Sequence, residues 1–193
     1  NVQEVARGIG LDNRIGRKFL NAGPGYGGSC FPKDTLALMK TARDNHAPIE
    51  LIEATVRVNK ARKQKMAQKI IEAVGGNVNG KTIAVLGLTF KPNTDDMRDA
   101  PALDIVPTLQ AEGARVRAFD PEGMNEAKHM LKDVAFATGP YDCVQGADAV
   151  VIITEWDQFR ALDLDRIKDA LKTPVVVDLR NIYRPDEMRA KGF

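Results

Sequence analysis

The sequence predicts an α/β protein in which a helical segment with a long connecting helix is followed by a doubly wound domain with a parallel sheet. Residues 1–75 follow a helical pattern that only a glycine-rich loop at 23–28 interrupts. Residues 76–193 alternate strands that are apolar throughout with amphipathic helices, as in a parallel sheet covered on both faces. The second part is therefore predicted to be Rossmann-like, with ligands at the carboxyl ends of its strands.

Three helices are predicted in the first segment, beginning with residues 2–8. A second begins near Pro32, because a proline suits the first turn, where its missing N–H would be unpaired anyway. The third runs from Pro48 to about Val74, with apolar side chains at an imperfect helical spacing. At about 1.5 Å per residue it would be roughly 40 Å long. That length suits a helix that joins domains or pairs subunits, although packing on its own domain alone stays open.

Turn residues at 75–80 mark the predicted domain boundary, which gives a first domain at 1–75 and a second at 76–193. The second domain is predicted to contain strands at 82–88, 115–120, 147–154 and 175–179, and helices at 100–112, 122–131, 164–171 and 185–190. The chain opens without methionine inside a helical pattern and stops just after another, so we expect a piece of a longer protein, although a processed or trimmed chain would look the same.

Charge and composition argue against several classes of partner. The 28 basic residues nearly balance the 26 acidic ones, so no excess charge indicates a nucleic acid or an anionic membrane. The basic run 60–65 is predicted to form a solvated helix face. No apolar run approaches the roughly 20 residues of a membrane-spanning helix. Two distant cysteines indicate neither a disulfide framework nor a metal site, and the expected compartment is the reducing cytoplasm.

The loop from Phe19 to Asp34 is the strongest chemical signal. Its four glycines at 23, 25, 27 and 28 allow unusual backbone angles and a close approach of a ligand to main-chain N–H groups. Cys30 lies at the predicted start of a helix, where N–H dipoles favour negative charge, so we predict a thiolate nucleophile. Lys33 adds positive potential, and Asp34 returns to the same helical face as Cys30.

An isolated cysteine is more often a small buried hydrophobe than a nucleophile. This is the interpretation that we adopt for Cys143, which has no such flanking sequence. For Cys30 the neighbouring residues favour the nucleophile, and they are also part of a wider similarity.

The chain resembles the UDP-glucose/GDP-mannose dehydrogenase family over essentially its whole length. Several separate motifs in the family's order are far more specific than a single glycine pattern. The motifs are Arg14-Ile15-Gly16, the loop 19–34, Gly87-Leu88-Thr89-Phe90-Lys91-Pro92, Asp95-Asp96-Met97-Arg98, Phe119-Asp120-Pro121, Thr154-Glu155-Trp156 and Asp178-Leu179-Arg180-Asn181.

The resemblance implies oxidation of a sugar C6 alcohol to a carboxylate in two steps that use NAD. It implies that Cys30 attacks the C6 aldehyde and that the resulting thiohemiacetal is oxidised to a thioester, which water then releases. Asp34 would position or deprotonate that water. The NAD fingerprint is expected in an upstream domain, because Gly87-Leu88-Thr89-Phe90 lacks the full G-x-G-x-x-G pattern.

The resemblance also assigns binding residues. Arg14 would reach the substrate of the neighbouring subunit in a homodimer formed through the long helix, while Lys33 and Arg98 would lie toward the cofactor. The substrate-binding residues of the same chain would be Phe19, Leu20, Asn21, Gly23, Tyr26, Gly27, Phe90, Lys91 and Arg180. At Leu179 this chain departs from the glycine that is common in the family, so the geometry around Arg180 is expected to differ.

The sequence leaves several functions open. The E-W-D sequence around Trp156 and the F-K-P loop favour UDP-glucose as the substrate, with GDP-mannose and UDP-N-acetylmannosamine as alternatives. As an isolated chain the protein could instead be a non-catalytic module for dimerisation and UDP-sugar binding. A thiol hydrolase is disfavoured, because neither His46 nor His129 belongs to a cysteine-protease signature.

Overall fold

The computed structural model describes residues 1–193 as nine helices and five strands. No helix has the length and the hydropathy that would be needed to cross a membrane. The helices are α1 (Val2–Ile9), α2 (Phe31–Asp44), α3 (Glu50–Ala73), α4 (Ala102–Ala111), α5 (Met124–Met130), α6 (Pro140–Val144), α7 (Asp157–Arg160), α8 (Leu164–Ala170) and α9 (Pro185–Ala190), and the strands are β1 (Thr82–Leu86), β2 (Arg115–Phe119), β3 (Val134–Phe136), β4 (Ala149–Ile152) and β5 (Val176–Asp178).

The five strands form one parallel sheet in the order β3-β2-β1-β4-β5. The strand order reverses between β1 and β4, and a doubly wound sheet binds its ligands outside the carboxyl ends of the strands at such a point. The predicted fold class is therefore confirmed, and the reversal directs attention to the loops that follow β1 and β4.

Both faces of the sheet are buried, which explains why its strands are apolar throughout. Successive side chains of a strand point to opposite faces. In β1, Ile83 and Val85 belong to one hydrophobic cluster, and Ala84 and Leu86 belong to the other. The first cluster also contains side chains from α4, and the second contains Phe159 from α7. The sheet is thus the middle layer of three.

The long helix α3 links the two parts of the chain. Its 24 residues span about 36 Å at the usual rise of an α-helix. Near its end, Ala67, Ile70 and Ile71 are buried in the first hydrophobic cluster, together with residues of the sheet. The last turns of α3 therefore help to form the core of the second domain, and the division at residue 75 remains a prediction.

The basic run 60–65 is not the uniformly solvated face that we predicted. The Lys63 side chain is only 7% exposed, and its Nζ lies 3.3 Å from Asp104 Oδ2. The same Nζ donates a hydrogen bond of 2.8 Å to the main-chain oxygen of Asp99. One side of the run is therefore turned inward because α3 packs against α4 and the loop before it.

Three short elements were missing from the prediction, namely β3, α6 and α7, which contain three to five residues each. Such lengths are too short for a hydrophobic period to be recognised. Strand β1 also ends at Leu86 rather than at Leu88. The reason is that the main-chain N–H groups of Leu88 and Thr89 donate to the Asp120 carboxylate instead of to a neighbouring strand.

Candidate active site

A cavity of about 1020 Å³ lies between α3, the loops that follow β1, β4 and β5, and the loop 19–34, which we call the cysteine loop. It contains eight of the ten substrate-binding residues that were predicted from the sequence. Its lining consists of Phe19, Asn21, Gly23, Gly25, Tyr26, Gly27, Leu51, Ala54, Thr55, Val58, Asn59, Arg62, Phe90, Lys91, Pro92, Asn93, Glu155 and Arg180.

One wall of this cavity is a stripe along α3. Leu51, Thr55, Val58 and Arg62 follow one another at spacings of four, three and four residues, which places them on a single helix face. Sequence reasoning assigned none of these residues to the site. The spacing itself was the available signal, but a polar residue within an apolar stripe is ambiguous without knowledge of what faces it.

The same helix holds the cysteine loop in place through hydrogen bonds. The Asn59 side chain accepts a hydrogen bond of 2.9 Å from the main-chain N–H of Tyr26 and donates one of 3.2 Å to its main-chain oxygen. Nearby, Arg62 Nε donates to the main-chain oxygen of Gly23 at 2.7 Å. Two side chains of α3 thus satisfy main-chain groups that an irregular loop cannot pair internally.

The loop also packs against the segment that follows β1. The main-chain N–H of Gly28 donates to the main-chain oxygen of Arg98 at 2.8 Å. Gly27 lies so close to the main chain of Asp99 that a Cβ at this position would collide with it, and Phe90 covers both glycines. Glycine is therefore required at residue 27 for a close main-chain approach. The cysteine loop and the F-K-P loop form one packed unit.

Cys30 lies directly before the first residue of α2 and is exposed. Its Sγ lies 3.6 Å from Ser29 Oγ, and neither side chain lines the cavity. Phe31 follows, and its ring meets that of Tyr26 edge to face at 4.8 Å, which links the start of α2 to the cavity wall. The thiol is therefore accessible beside the cavity rather than sealed in an apolar interior.

Asp34 and Lys33, on the first turn of α2, are exposed like Cys30. The main-chain N–H of Asp34 donates to the main-chain oxygen of Cys30 at 2.8 Å, as expected for residues four apart in a helix. Lys33 Nζ lies 3.6 Å from Asp34 Oδ1. The predicted roles of Asp34 with water and of Lys33 with a cofactor remain predictions.

Arg98 lies near enough to Cys30 for the charges of the two side chains to interact. Its guanidinium donates two hydrogen bonds of 2.9 Å to Asp96, and this pairing raises the pKa of Arg98 and lowers that of Asp96. The negative charge of a Cys30 thiolate contributes further to the raised pKa of Arg98. An exposed cation therefore stands near Cys30, available to a thiolate or to an anionic ligand.

Arg180 forms a mostly buried ion pair with Glu155 in the cavity wall. Arg180 Nε and Glu155 Oε2 are buried without a hydrogen-bond partner, which is uncommon for such atoms and fits a site that receives a polar ligand. Leu179 belongs to the first hydrophobic cluster. Its side chain thus packs into the core, and Arg180 still reaches the cavity despite the departure from the family's glycine.

Two of the predicted substrate-binding residues are not part of the cavity lining. Leu20 is half-buried and does not line the cavity. Arg14 is 89% exposed and forms an ion pair of 2.6 Å with Asp12, which raises the pKa of Arg14. The prediction for Arg14 concerned the site of a neighbouring subunit, and it remains a prediction.

The carboxyl end of β1 does not fit the diphosphate of a dinucleotide. Asp120 is fully buried, and its Oδ2 accepts hydrogen bonds from the main-chain N–H of Leu88 at 2.7 Å and from that of Thr89 at 3.1 Å. In a dinucleotide-binding domain, the N–H groups after the first strand face the pyrophosphate. Here the N–H groups of Leu88 and Thr89 already donate to an internal carboxylate, so these two groups are not available to a pyrophosphate.

The other cysteine has no part in the site. Cys143 is fully buried in the second hydrophobic cluster, and burial raises the pKa of its thiol to about 12. We find no cluster of three or more His, Cys, Asp or Glu side chains that could hold a metal ion.

Comparison with known proteins gives consistent matches over the whole chain. Residues 1–61 match the central domain of the UDP-glucose/GDP-mannose dehydrogenase family, and residues 84–185 match its UDP binding domain. A UDP-glucose 6-dehydrogenase of Rhizobium meliloti is 63% identical over all 193 residues, which correspond to 44% of that protein. The chain thus spans less than half the length of this relative.

Solved structures resemble the chain in fold as well. A UDP-glucose dehydrogenase from Pyrobaculum islandicum matches 95% of the chain with a TM-score of 0.83 and 37% identity, over 41% of its own length. An NDP-N-acetyl-D-galactosaminuronic acid dehydrogenase from Methanosarcina mazei matches 100% of the chain with a TM-score of 0.86 and 27% identity, over 42% of its own length. The chain belongs to the UDP-glucose/GDP-mannose dehydrogenase family.

Proposed function

We propose that the chain is the part of an NAD-dependent UDP-glucose 6-dehydrogenase that supplies the nucleophile and binds the UDP-sugar. The main support is one arrangement: an exposed cysteine at the start of α2, beside a large cavity that is lined by basic side chains. The high identity to a protein of that name makes UDP-glucose the first candidate substrate. The product would be UDP-glucuronate.

In this proposal Cys30 retains the intermediate. Its thiolate adds to the C6 aldehyde of the once-oxidised sugar to form a thiohemiacetal, and loss of a hydride from C6 then gives a thioester. Water attacks the thioester carbon, and the uronic acid leaves as the thiolate is regenerated. Asp34, one helical turn after Cys30, would orient or deprotonate that water. The exposed Arg98 cation would stabilise the negative charge of the Cys30 thiolate.

NAD would accept both hydrides when bound. Since Asp120 fills the position of a pyrophosphate at β1, NAD would need binding groups other than those of the sheet domain. Lys33 and Arg98 are exposed cations near Cys30 that could contact its phosphates. We therefore expect activity only where residues 1–193 are joined to an NAD-binding domain.

The test is made in such a joined protein. Replacement of Cys30 by alanine should reduce NADH formation from UDP-glucose by at least about 100-fold, because the aldehyde can no longer be captured. Mass spectrometry of the unmodified enzyme should detect a sugar adduct on the peptide that contains Cys30. Cys143→Ala is the matched control and should keep its turnover. Unaltered NADH formation in the Cys30→Ala enzyme would reject the assigned nucleophile.

The substrate can be tested separately from the chemistry. GDP-mannose and UDP-N-acetylmannosamine are the alternative substrates within the family. Calorimetric titration of the chain with UDP-glucose, GDP-mannose and UDP-N-acetylmannosamine should give the tightest binding with UDP-glucose. Tighter binding of GDP-mannose or UDP-N-acetylmannosamine would change the assigned substrate but not the assigned nucleophile.

The end of β1 favours a second function for residues 1–193 on their own, because the Asp120 carboxylate already accepts from N–H groups that a pyrophosphate would use. Without a bound hydride acceptor near C6, the chain would act as a module for UDP-sugar binding and dimerisation. It should then bind UDP-glucose without reducing NAD. Detectable turnover by the isolated chain would contradict this interpretation.

We also propose that the chain forms a homodimer through its helical segment. Of the nine large exposed hydrophobic side chains that do not line the cavity, eight lie within the first 38 residues and only Met130 lies in the sheet domain. Helix α1 has no buried residue at all. An apolar surface of this kind is typical of an interface with another subunit or domain.

A further inference from the structure

Within the basic run 60–65, Arg62 alone reaches the large cavity. It stands at the end of the α3 stripe, one turn beyond Val58, and shares the cavity lining with Lys91 and Arg180. Lys63, its neighbour in sequence, turns the other way toward Asp104. The run therefore divides into a buried structural lysine and an arginine that faces a ligand site.

The hydrogen bonding of Arg62 leaves most of its guanidinium unused. Nε donates to the main-chain oxygen of Gly23 at 2.7 Å, and neither Nη group has a hydrogen-bond partner. Arg62 takes part in none of the ion pairs of the protein. One bond fixes the head group of the side chain, and two donor groups remain free on the cavity side of the helix.

The charge of the cavity supports an anionic ligand. Three basic side chains line it, namely Arg62, Lys91 and Arg180, and the only acidic one is Glu155. Glu155 is already paired with Arg180, whereas Lys91 stacks on the ring of Phe90 and has no acidic partner. The cavity therefore has a formal charge of +2, which equals in magnitude the charge of the diphosphate in a nucleotide sugar.

We infer that Arg62 is a diphosphate-binding residue of the UDP-sugar site, an inference that rests on the proposed function. A guanidinium with a fixed Nε and free Nη groups suits the bidentate recognition of phosphate oxygens. Arg62 and Lys91 then bring the two cations that no carboxylate of the protein neutralises. Arg180, held by Glu155, is the third cation of the cavity lining.

The experiment is a calorimetric titration of the chain with UDP at low and at high salt. Arg62→Ala should bind UDP about tenfold more weakly at low salt, as expected for the loss of one charge-assisted contact. This difference should narrow in about 0.5 M NaCl, because salt screens charges across an open cavity. Arg62→Lys keeps the charge but not the forked guanidinium, so its loss of affinity at low salt should be smaller than that of Arg62→Ala and should also narrow at high salt. Arg57→Ala, on the same helix outside the cavity, is the matched control and should bind like the unmodified chain.

Other outcomes would overturn the inference. Unchanged UDP affinity in Arg62→Ala would show that the guanidinium makes no contact with phosphate. A loss of equal size at both salt concentrations, shared by Arg62→Lys, would assign Arg62 to support of the Gly23 loop only. If the unmodified chain failed to bind UDP in any salt, the proposed UDP-sugar site itself would be rejected, which separates the two failures.

Discussion

Arg180 forms an ion pair with Glu155, and this pair holds the Arg180 guanidinium directly against the Cα of Gly23 in the cavity wall. Only 11% of the Arg180 side chain and 15% of the Glu155 side chain are exposed. The cysteine loop and the loop after β5 are thus fitted to each other through one glycine. The shape of the cavity depends on a residue that has no side chain.

Gly23→Ala should weaken UDP binding by about tenfold, which is the loss expected for one charged hydrogen bond. The reason is that an added Cβ would overlap Arg180 Nη1, and the guanidinium would have to move away from the cavity wall. Calorimetry with UDP measures the effect. Gly8→Ala is the control, because nothing lies within 4 Å of a Cβ at that helical position. Equal affinities of the Gly23→Ala protein and the unmodified chain would contradict the fitted arrangement.

The sequence was sufficient for features that depend on local pattern. The strand–helix alternation after residue 80 predicted the parallel sheet, because strands buried on both faces contain apolar residues throughout. The proline at residue 32 predicted the start of α2, which begins at Phe31. The motifs around residues 19–34, Phe90 and Arg180 assigned eight of the 18 cavity-lining residues to the substrate site, an assignment that remains a prediction.

The sequence did not predict features that depend on contacts between distant segments. Asp120 bonds to the end of β1, some thirty residues earlier in the chain. Arg62 belongs to a basic run, and such runs usually form solvated faces; only the packing of α3 against α4 decides which members turn inward. Short elements such as β3 and α7 were missed because they contain too few residues for a period to be visible.

Asp120 should be one of the most sensitive positions for stability. Its carboxylate accepts six hydrogen bonds, four from the main-chain N–H groups of Leu88, Thr89, Glu122 and Gly123, one from the Thr89 hydroxyl and one from the Trp156 ring. Asp120→Ala would leave the main-chain N–H groups of Leu88, Thr89 and Gly123 and the Trp156 ring without their buried acceptor, whereas the Thr89 hydroxyl keeps the main-chain oxygen of Lys91. We expect the free energy of unfolding to fall by about 3 kcal/mol or more, measured by urea denaturation.

The control for this prediction is Asp157→Ala, since the Asp157 side chain is 98% exposed and forms only a loose ion pair with Arg160. Its free energy of unfolding should change by less than about 0.5 kcal/mol. A similar small change in Asp120→Ala would mean that the six hydrogen bonds contribute little. The network could then not be what holds the loop after β1 in place.

Cys143 should make the stability of the protein decrease at high pH. Burial raises the pKa of its thiol from 9.0 to about 12, so the folded state keeps the proton over a range where the unfolded state loses it. The contribution of the buried neutral thiol to the free energy of unfolding is fully present below pH 9, and it is lost as the pH rises toward 12.

Urea denaturation at several pH values between 7 and 10.5 measures this loss. Because other groups also titrate in this range, the comparison is with Cys143→Ala, which lacks the thiol. The free energy of unfolding of the unmodified protein should fall relative to this variant by roughly 1 kcal/mol per pH unit above pH 9. Parallel pH profiles of the two proteins would show that the buried thiol does not keep its proton.

The chain should sediment with a mass near twice the 21.1 kDa of a single chain. Val5, on α1, is 58% exposed, does not line the cavity and belongs to the apolar surface that we assign to the partner subunit. Val5→Glu should favour the monomer by tenfold or more in the dissociation constant, because an unpaired carboxylate would be buried at the interface. Gln64→Glu adds the same charge at an exposed position on α3 and should leave the dimer intact. A monomer at roughly 100 µM in the unmodified chain would assign the apolar surface to a different domain instead.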